Sequence, residues 1–197
     1  MALIETTHSR EVVVVPERTY QRTGVIMVLA HFNPVEESIS VCMLRHNSNP
    51  LKGIKHGALG LPSETTEQFR DETTEDTLMR CFREELGITN PRSMNFYRTV
   101  DDAEFEHRFN LDTGLNGDSS NALGHGLVIW TPNPAAVIRS FQIGTMEGIV
   151  DRQELSGISF QPLSAILRDD SQLSFRQAPN PKTIVSQLNA SGMLMHP

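Results

Sequence analysis

The sequence is poor in cysteine and in basic charge, and it has no long apolar run. Two cysteines, Cys42 and Cys81, are too few for a disulfide framework, so we expect a reduced, cytoplasmic protein. A formal net charge of -7 and an isoelectric point near 5.5 argue against general binding to nucleic acids or anionic membranes. No apolar stretch reaches the length of a membrane span, and the N-terminus lacks the pattern of a secretory signal.

The size and composition of the chain favour one globular domain. It has 197 residues, of which 38% are hydrophobic and 21% are charged, as in ordinary soluble proteins. No internal repeat or shift in composition marks a second domain. We therefore predict a single domain over residues 1–197, with residues 1–20 and 189–197 at its periphery.

An amphipathic helix is predicted in the first half of the chain. Thr73 or Thr74 is a suitable N-cap, and acidic residues fill the first turn, where they complement the helix dipole. Gly87 supplies a C-terminal stop. Three apolar side chains recur at every fourth position and form a stripe for burial: Leu78, Phe82 and Leu86.

Acidic residues crowd this helix and the loop before it. Glu84 and Glu85 lie with Cys81 beside the apolar stripe, and Arg80 is placed to pair with Glu84. The loop adds four more carboxylates: Glu64, Glu67, Asp71 and Glu72. Such a cluster of hard oxygen ligands suits Mg²⁺ or Mn²⁺ better than zinc. Most acidic runs are simply exposed helix faces, so the cluster alone does not establish a site.

Short apolar segments on both sides of the helix predict strands. The predicted strands are residues 11–15, 24–32, 38–45, 94–100, 105–111, 126–131 and 158–160. Further helices are predicted at residues 135–141, 162–167 and 181–188, and loops at 46–56, 115–121 and 144–157. This order fits a mixed sheet packed between helices.

Residues 60–88 resemble the signature of the Nudix hydrolases, G-x5-E-x7-R-E-U-x-E-E-x-G-U, where U is a bulky apolar residue. Seven residues are in register: Glu72, Arg80, Phe82, Glu84, Glu85, Gly87 and Ile88. Cys81 stands in place of the glutamate after the arginine, and Thr66 in place of the first glycine. Alternatively, the sequence Leu-Pro-Ser-Glu at 61–64 replaces the usual Leu-Pro-Gly-Gly, followed by a two-residue insertion. Residues 154–163 are similar to a late segment of the family, so the resemblance extends over roughly residues 24–167.

The resemblance implies an α/β fold, an α/β/α sandwich with a mixed β-sheet. It also implies a metal-dependent pyrophosphohydrolase that cleaves a nucleoside diphosphate linked to another moiety, by water attack on phosphorus. The substrates open to it include ADP-ribose, a nucleotide sugar, a dinucleotide polyphosphate and an oxidised nucleotide. The cofactor implied is Mg²⁺ or Mn²⁺, and the sequence is compatible with a homodimer.

The resemblance also assigns roles to individual residues. Glu85 is expected to bind the metal directly, and Glu84 to act as a ligand or base. Glu72 is expected to stabilise the loop and to reach the metal, and Arg80 to orient Glu84 or Glu72. Glu154 is a candidate for a further ligand or base.

Three further residues are candidates for substrate or metal contact. A backbone carbonyl near Ser63 would complete the metal shell, and either Lys52 or Lys55 would meet a substrate phosphate. For any single lysine in a loop of this composition, simple solvation is the more common role.

Cys81 leaves three alternatives open, because a thiol is a poor ligand for Mg²⁺. One of Glu64, Glu67 and Glu154 replaces the missing glutamate, or the site prefers a softer metal such as Mn²⁺. In the third alternative, the chain is a catalytically weak Nudix-fold module that senses a nucleotide or binds a protein partner. Cys81 is also compatible with a small buried residue beside Phe82.

Overall fold

The computed structural model describes residues 22–50, 54–66, 73–98, 105–112, 119–169, 172–176 and 180–195. Its strands are β1 (Arg22–Asn33), β2 (Ser38–His46), β3 (Leu59–Gly60), β4 (Ser63–Thr65), β5 (Tyr97–Arg98), β6 (Phe105–Asp112), β7 (Ser119–Trp130) and β8 (Leu155–Pro162). Its α-helices are α1 (Thr74–Leu86), α2 (Pro134–Glu147), α3 (Leu163–Leu167) and α4 (Pro181–Ala190).

The described strands form one mixed sheet in which β1 is central. β1 runs antiparallel to β2 and parallel to β7, and the order along the main path is β3-β2-β1-β7-β5. β4 adds to β1, β6 to β7 and β8 to β2, each in an antiparallel pair. The strands predicted at 24–32 and 38–45 are therefore confirmed, and they pair as a hairpin with Ala30 opposite Val41.

Helices cover both faces of this sheet. On one face, side chains such as Met27 pack with Phe82 and other residues of α1 and α2. On the opposite face, side chains such as Val28 pack with Ile184 and other residues of α3 and α4. Because β1 is buried on both faces, its sequence is a continuous apolar run rather than an alternating one. The expected α/β/α sandwich with a mixed sheet is confirmed.

Helix α1 has the ends that the sequence predicts. The Thr73 hydroxyl accepts a hydrogen bond from the Asp76 N–H (3.2 Å), and the Asp76 carboxylate accepts one from the Thr73 N–H (3.1 Å). This reciprocal capping box fixes Thr73, not Thr74, as the N-cap. Gly87 ends the helix in the left-handed conformation, with φ of 67°.

Several predicted boundaries are wrong. Pro91 starts a 3₁₀ helix that ends at Met94, so the strand predicted at 94–100 shrinks to β5 in the described residues. The loop predicted at 115–121 overlaps β7, which begins at Ser119. The loop predicted at 144–157 contains the last turn of α2 and the start of β8. The strand predicted at 11–15 lies outside the described residues.

The end of the chain is less peripheral than predicted. Residues 189 and 190 belong to α4, and Leu194 is only 1% exposed, packed in the core beside α4. The Met193 N–H donates to the Leu188 carbonyl at 3.0 Å, which turns the chain back onto the helix. Apolar burial, which the short segment did not reveal, holds this end against the sheet. Residues 1–20 lie outside the described part of the chain.

None of the helices in the described part of the chain is long and apolar enough to cross a membrane.

Candidate functional site

A cavity of ≈ 610 Å³ opens beside α1, and we call it the α1 cavity. Strand β4, helix α1, the turn before β8 and the segment 172–176 build its walls. The charged residues that line it all belong to these elements: Glu64, Arg80, Arg83, Glu84, Glu85, Asp151, Glu154 and Arg176. Of the described residues, five carboxylates and three guanidinium groups therefore face one space.

Arg80 is the buried centre of one wall. Its side chain is only 6% exposed, and its Nη1 lies 2.9 Å from Glu64 Oε1 and 3.8 Å from Glu84 Oε2. Its Nη2 donates to the Thr65 carbonyl, so Arg80 ties β4 to the helix. The predicted pairing with Glu84 is present, but the shorter contact is with Glu64. Burial raises the pKa of the Glu64 carboxyl, and the Arg80 guanidinium opposes that rise.

Glu84 is shared between two arginines. Its Oε1 accepts a hydrogen bond from Arg83 Nη2 at 2.6 Å, on the more exposed side of the helix. Its other oxygen faces Arg80. Because Arg83 is 49% exposed, water screens its charge. Its contact with Glu84 therefore contributes little to stability although the distance is short.

Cys81 does not face the cavity. Its side chain is fully buried (0% exposed) in the core, together with Met27, Cys42 and Phe82. Burial raises the pKa of the Cys81 thiol well above its ordinary value, and the nearby Glu85 raises it further. The thiol is therefore uncharged, and its surroundings are apolar. The structure places it among the core residues beside Phe82 and supplies no cavity ligand at this position.

Both thiols are expected to be unreactive in the folded protein. Cys42 is also fully buried, and burial raises its pKa strongly. At about pH 8, we expect both to react with a thiol reagent such as dithionitrobenzoate on the order of a hundredfold slower than in denaturant. Following the colour of the released thiolate with and without urea tests this. Rapid reaction of one thiol in the native protein would place that residue at the surface instead.

Arg176 reaches the cavity from a segment that the sequence motif does not include. The Arg176 N–H donates to the Leu59 carbonyl (3.0 Å), and the Leu59 N–H donates to the Ser174 carbonyl (2.8 Å). These bonds dock residues 174–176 beside β3. The side chain then crosses Gly60, where an added Cβ would lie 2.5 Å from His46 Nε2 and 2.7 Å from Arg176 Cδ. Glycine at position 60 therefore leaves room for both side chains.

Glu85 and Glu154 carry the charges that act on Arg176. Burial lowers the pKa of the Arg176 guanidinium, while first Glu85 and then Glu154 raise it. Glu154 is held in a turn, where its carbonyl accepts from the Asn47 N–H at 2.8 Å. Asp151 lines the same wall and caps that turn by accepting from the Gln153 N–H at 2.7 Å.

The cavity contains the type of ligand atom, carboxylate oxygen, that a hard divalent cation prefers. Carboxylate oxygens of Glu84, Glu85 and Glu154 line the α1 cavity, and carboxylates outnumber arginines there by two among the described residues. Oxygen ligands of this type match Mg²⁺ or Mn²⁺. Across the described residues, however, no three His, Cys, Asp or Glu side chains are gathered closely enough to hold a metal ion. Arginines take up the positions beside the carboxylates instead.

The other predicted site residues are placed unevenly. Ser63 lines the cavity, at the start of β4. Lys55 is exposed on its loop and is not among the described residues that line the cavity, so its contact with a substrate phosphate stays a prediction. Glu72 and Lys52 lie outside the described residues, as do Glu67 and Asp71.

Sequence reasoning missed three charged residues of the cavity: Arg83, Asp151 and Arg176. Arg83 occupies a variable position of the signature, and Asp151 sits in a stretch that reads as a polar loop. The sequence before Arg176 gives a weak signal, in which apolar Leu173 and Phe175 alternate with polar residues. This alternation is too short to predict a strand.

Known proteins give a structural likeness only. No protein-family model and no curated protein sequence matches the chain. The Nudix domain of Shewanella oneidensis NrtR, complexed with ADP ribose, is similar at a TM-score of 0.54 and 15% identity, over 88% of this chain and 90% of that one. A C. elegans Ap4A hydrolase binary complex gives 0.55 at 10% identity, over 87% and 98%. A mutT/nudix family protein from Listeria innocua gives 0.52 at 12% identity, over 91% and 100%.

Sequence identities this low show only that the folds are similar. All three structures have this same fold. NrtR has also been solved with a 27mer DNA, a likeness with a TM-score of 0.50 in which this chain spans 61% of that protein's length. The absence of general nucleic-acid binding that the acidic composition predicts therefore stays a prediction. The α1 cavity and the segment that resembles the signature both indicate a site beside α1.

Proposed function

We propose that this chain, which has the Nudix fold, binds a nucleoside diphosphate derivative in the α1 cavity and hydrolyses it weakly, as a nucleotide-sensing module. The supporting observation is the position of Cys81. Where the resemblance expects a glutamate among the metal ligands, the structure has a neutral thiol buried in the core. Losing one preorganised charged group of this kind costs on the order of 10² or more in rate.

The class of ligand follows from the size and charges of the cavity. Its volume of ≈ 610 Å³ suits a small molecule. Arg83 and Arg176 line it, and guanidinium groups match the oxygens of a diphosphate. The excess of carboxylates among the described residues favours a divalent cation that enters with the ligand. Magnesium in proteins is usually held by one or two carboxylates together with substrate phosphates, and here these would be Glu84, Glu85 or Glu154.

Efficient metal-dependent hydrolysis is the second candidate function. It is favoured because Glu84, Glu85 and Glu154 line the same cavity, and a bound cation would neutralise phosphate charge and acidify water. In this function Glu85 acts as a metal ligand, Glu84 or Glu154 as a ligand or base, and Glu72 as a supporting residue of the loop. Glu64 is a poor replacement for the missing glutamate, because Arg80 engages it at 2.9 Å.

A ligand panel distinguishes the two functions. The protein is mixed with ADP-ribose, a nucleotide sugar, a dinucleotide polyphosphate and an oxidised nucleotide, each with Mg²⁺ or Mn²⁺. We expect at least one, at about 100 times its Kd, to stabilise the fold by about 2.7 kcal/mol and to raise Tm by roughly 5–10 °C. Phosphate-containing products, separated by ion exchange, should stay near background.

Each other result has a definite meaning. Turnover at about 1 s⁻¹ or faster with metal would establish the hydrolase, in which case Glu85→Gln should abolish it and exposed Glu75→Gln should not. The absence of both turnover and stabilisation for every compound would reject this ligand class.

A further inference from the structure

Arg176 is a charged group of the α1 cavity that lies outside the segment resembling the signature. It lies 91 positions after Glu85 in the sequence, in the connection between α3 and α4. The Arg176 N–H donates to the Leu59 carbonyl at 3.0 Å, and the Leu59 N–H donates to the nearby Ser174 carbonyl at 2.8 Å. Its position is therefore set by the sheet rather than by a loose surface loop.

The side chain of Arg176 is also confined. Its Cδ passes over Gly60, where an added Cβ would lie 2.7 Å away. The residue lines the α1 cavity together with Glu85 and Glu154, and both carboxylates interact electrostatically with its guanidinium. Arg83 in the same cavity differs, because it is half exposed and contacts Glu84.

We propose that Arg176 is a built-in cation that neutralises Glu85 and Glu154 and thereby keeps a free divalent ion out of the α1 cavity. A fixed guanidinium and a metal ion would compete for the same carboxylate oxygens. The metal would also be repelled by the guanidinium charge, an effect that is strong where water is partly excluded. In keeping with this, the carboxylates in the described part of the chain line one cavity with Arg176 and do not form a group that could hold a metal.

The consequence is that a cation enters with difficulty on its own. A diphosphate would change this balance, because its oxygens offer the guanidinium new partners and release the carboxylates. Arg176 would then be a residue that determines specificity, favouring a cation with ligand over either one alone. The exclusion of a free ion concerns the protein and the metal alone, whereas this role in specificity rests on the proposed function.

The test measures binding of Mn²⁺ alone to the full chain. Free Mn²⁺ is quantified by electron paramagnetic resonance, with thermal unfolding run in parallel to verify folding. We expect Arg176→Met, which keeps the apolar stem, to bind Mn²⁺ about tenfold more tightly than the wild type. Arg83→Met removes the same charge from an exposed position and should gain about twofold or less. Arg176→Gln is a second neutral variant if the methionine variant unfolds.

A variant lacking one carboxylate tests the mechanism. In a Glu154→Gln background, Arg176→Met should gain clearly less affinity for Mn²⁺, because one of the two carboxylates released is absent. Equal gains for the Arg176 and Arg83 variants would reduce the effect to net charge and overturn the proposal. So would an Arg176 variant with unchanged Mn²⁺ affinity. Because no nucleotide is present, neither result touches the proposed function.

Discussion

Arg80→Met is expected to lower the free energy of unfolding by about 3 kcal/mol near neutral pH. The side chain is only 6% exposed and joins Glu64, Glu84 and the Thr65 carbonyl. Methionine fills much of the same volume but donates no hydrogen bond. The variant therefore leaves Glu64, itself 18% exposed, without its nearest cation. Urea unfolding followed by circular dichroism measures the loss.

The loss should depend on pH with a defined sign. Burial raises the pKa of the Glu64 carboxyl in the folded protein, and Arg80 limits that rise. An acid whose pKa is raised in the folded protein lowers the free energy of unfolding as the pH increases. The decrease begins near its pKa in the unfolded chain, roughly 4.3, and ends above its pKa in the folded protein. Without Arg80 the folded pKa rises further. The destabilisation should then be clearly smaller at about pH 4 than at about pH 8.

Arg83→Met is the matched control for this prediction. It removes the same charge from the same helix, but Arg83 is half exposed and contacts Glu84 near the surface. Pairs of this kind contribute about 1 kcal/mol or less. If both variants lost equal stability, or if the Arg80 variant lost as much at acidic pH, the buried pairing with Glu64 would not be the cause.

Gly87→Ala is expected to cost about 3 kcal/mol and to lower Tm by roughly 6–12 °C. Two effects add. Position 87 has a φ of +67°, where a Cβ is strained by about 1 kcal/mol. That Cβ would also lie 2.5 Å from the Ser140 carbonyl oxygen and 3.0 Å from Gly144 Cα. Both are backbone atoms of α2, so the two helices would have to move apart.

Gly148→Ala separates the two effects. Gly148 ends α2 with a φ of +75°, but an added Cβ would meet nothing within 4 Å. We therefore expect a loss of only about 1 kcal/mol, which reports the backbone strain alone. Scanning calorimetry of the two variants gives the difference. Equal losses would show that α1 and α2 do not approach as closely at Gly87 as the structure has them.

Helix α1 could be predicted well from the sequence because its signals are local. An N-cap at Thr73 or Thr74, an apolar stripe and a stop at Gly87 all lie within fifteen residues, and each has its own physical cause. The buried run of β1 was equally clear. The later boundaries were not, because strands such as β7 begin in a polar stretch of sequence whose backbone pairs with the distant β6.

The charge arrangement of the cavity was beyond sequence reasoning. The partner of Arg80 was expected one helical turn away, at Glu84, whereas the shortest contact is with Glu64 on β4. That contact depends on how β4 pairs with β1, which no local pattern specifies. Arg176 depends on a long-range pairing with β3 in the same way. Motif spacing gives the residues along one helix, but the sheet decides which distant charges join them.

The docking of residues 174–176 beside β3 links the two sides of the sandwich mechanically. Phe175 packs with the cluster that contains α4, while the next residue extends into the α1 cavity. Adjacent residues of one short segment thus serve different layers: the first contributes to the core on the α4 side, and the second contributes charge to the cavity on the α1 side.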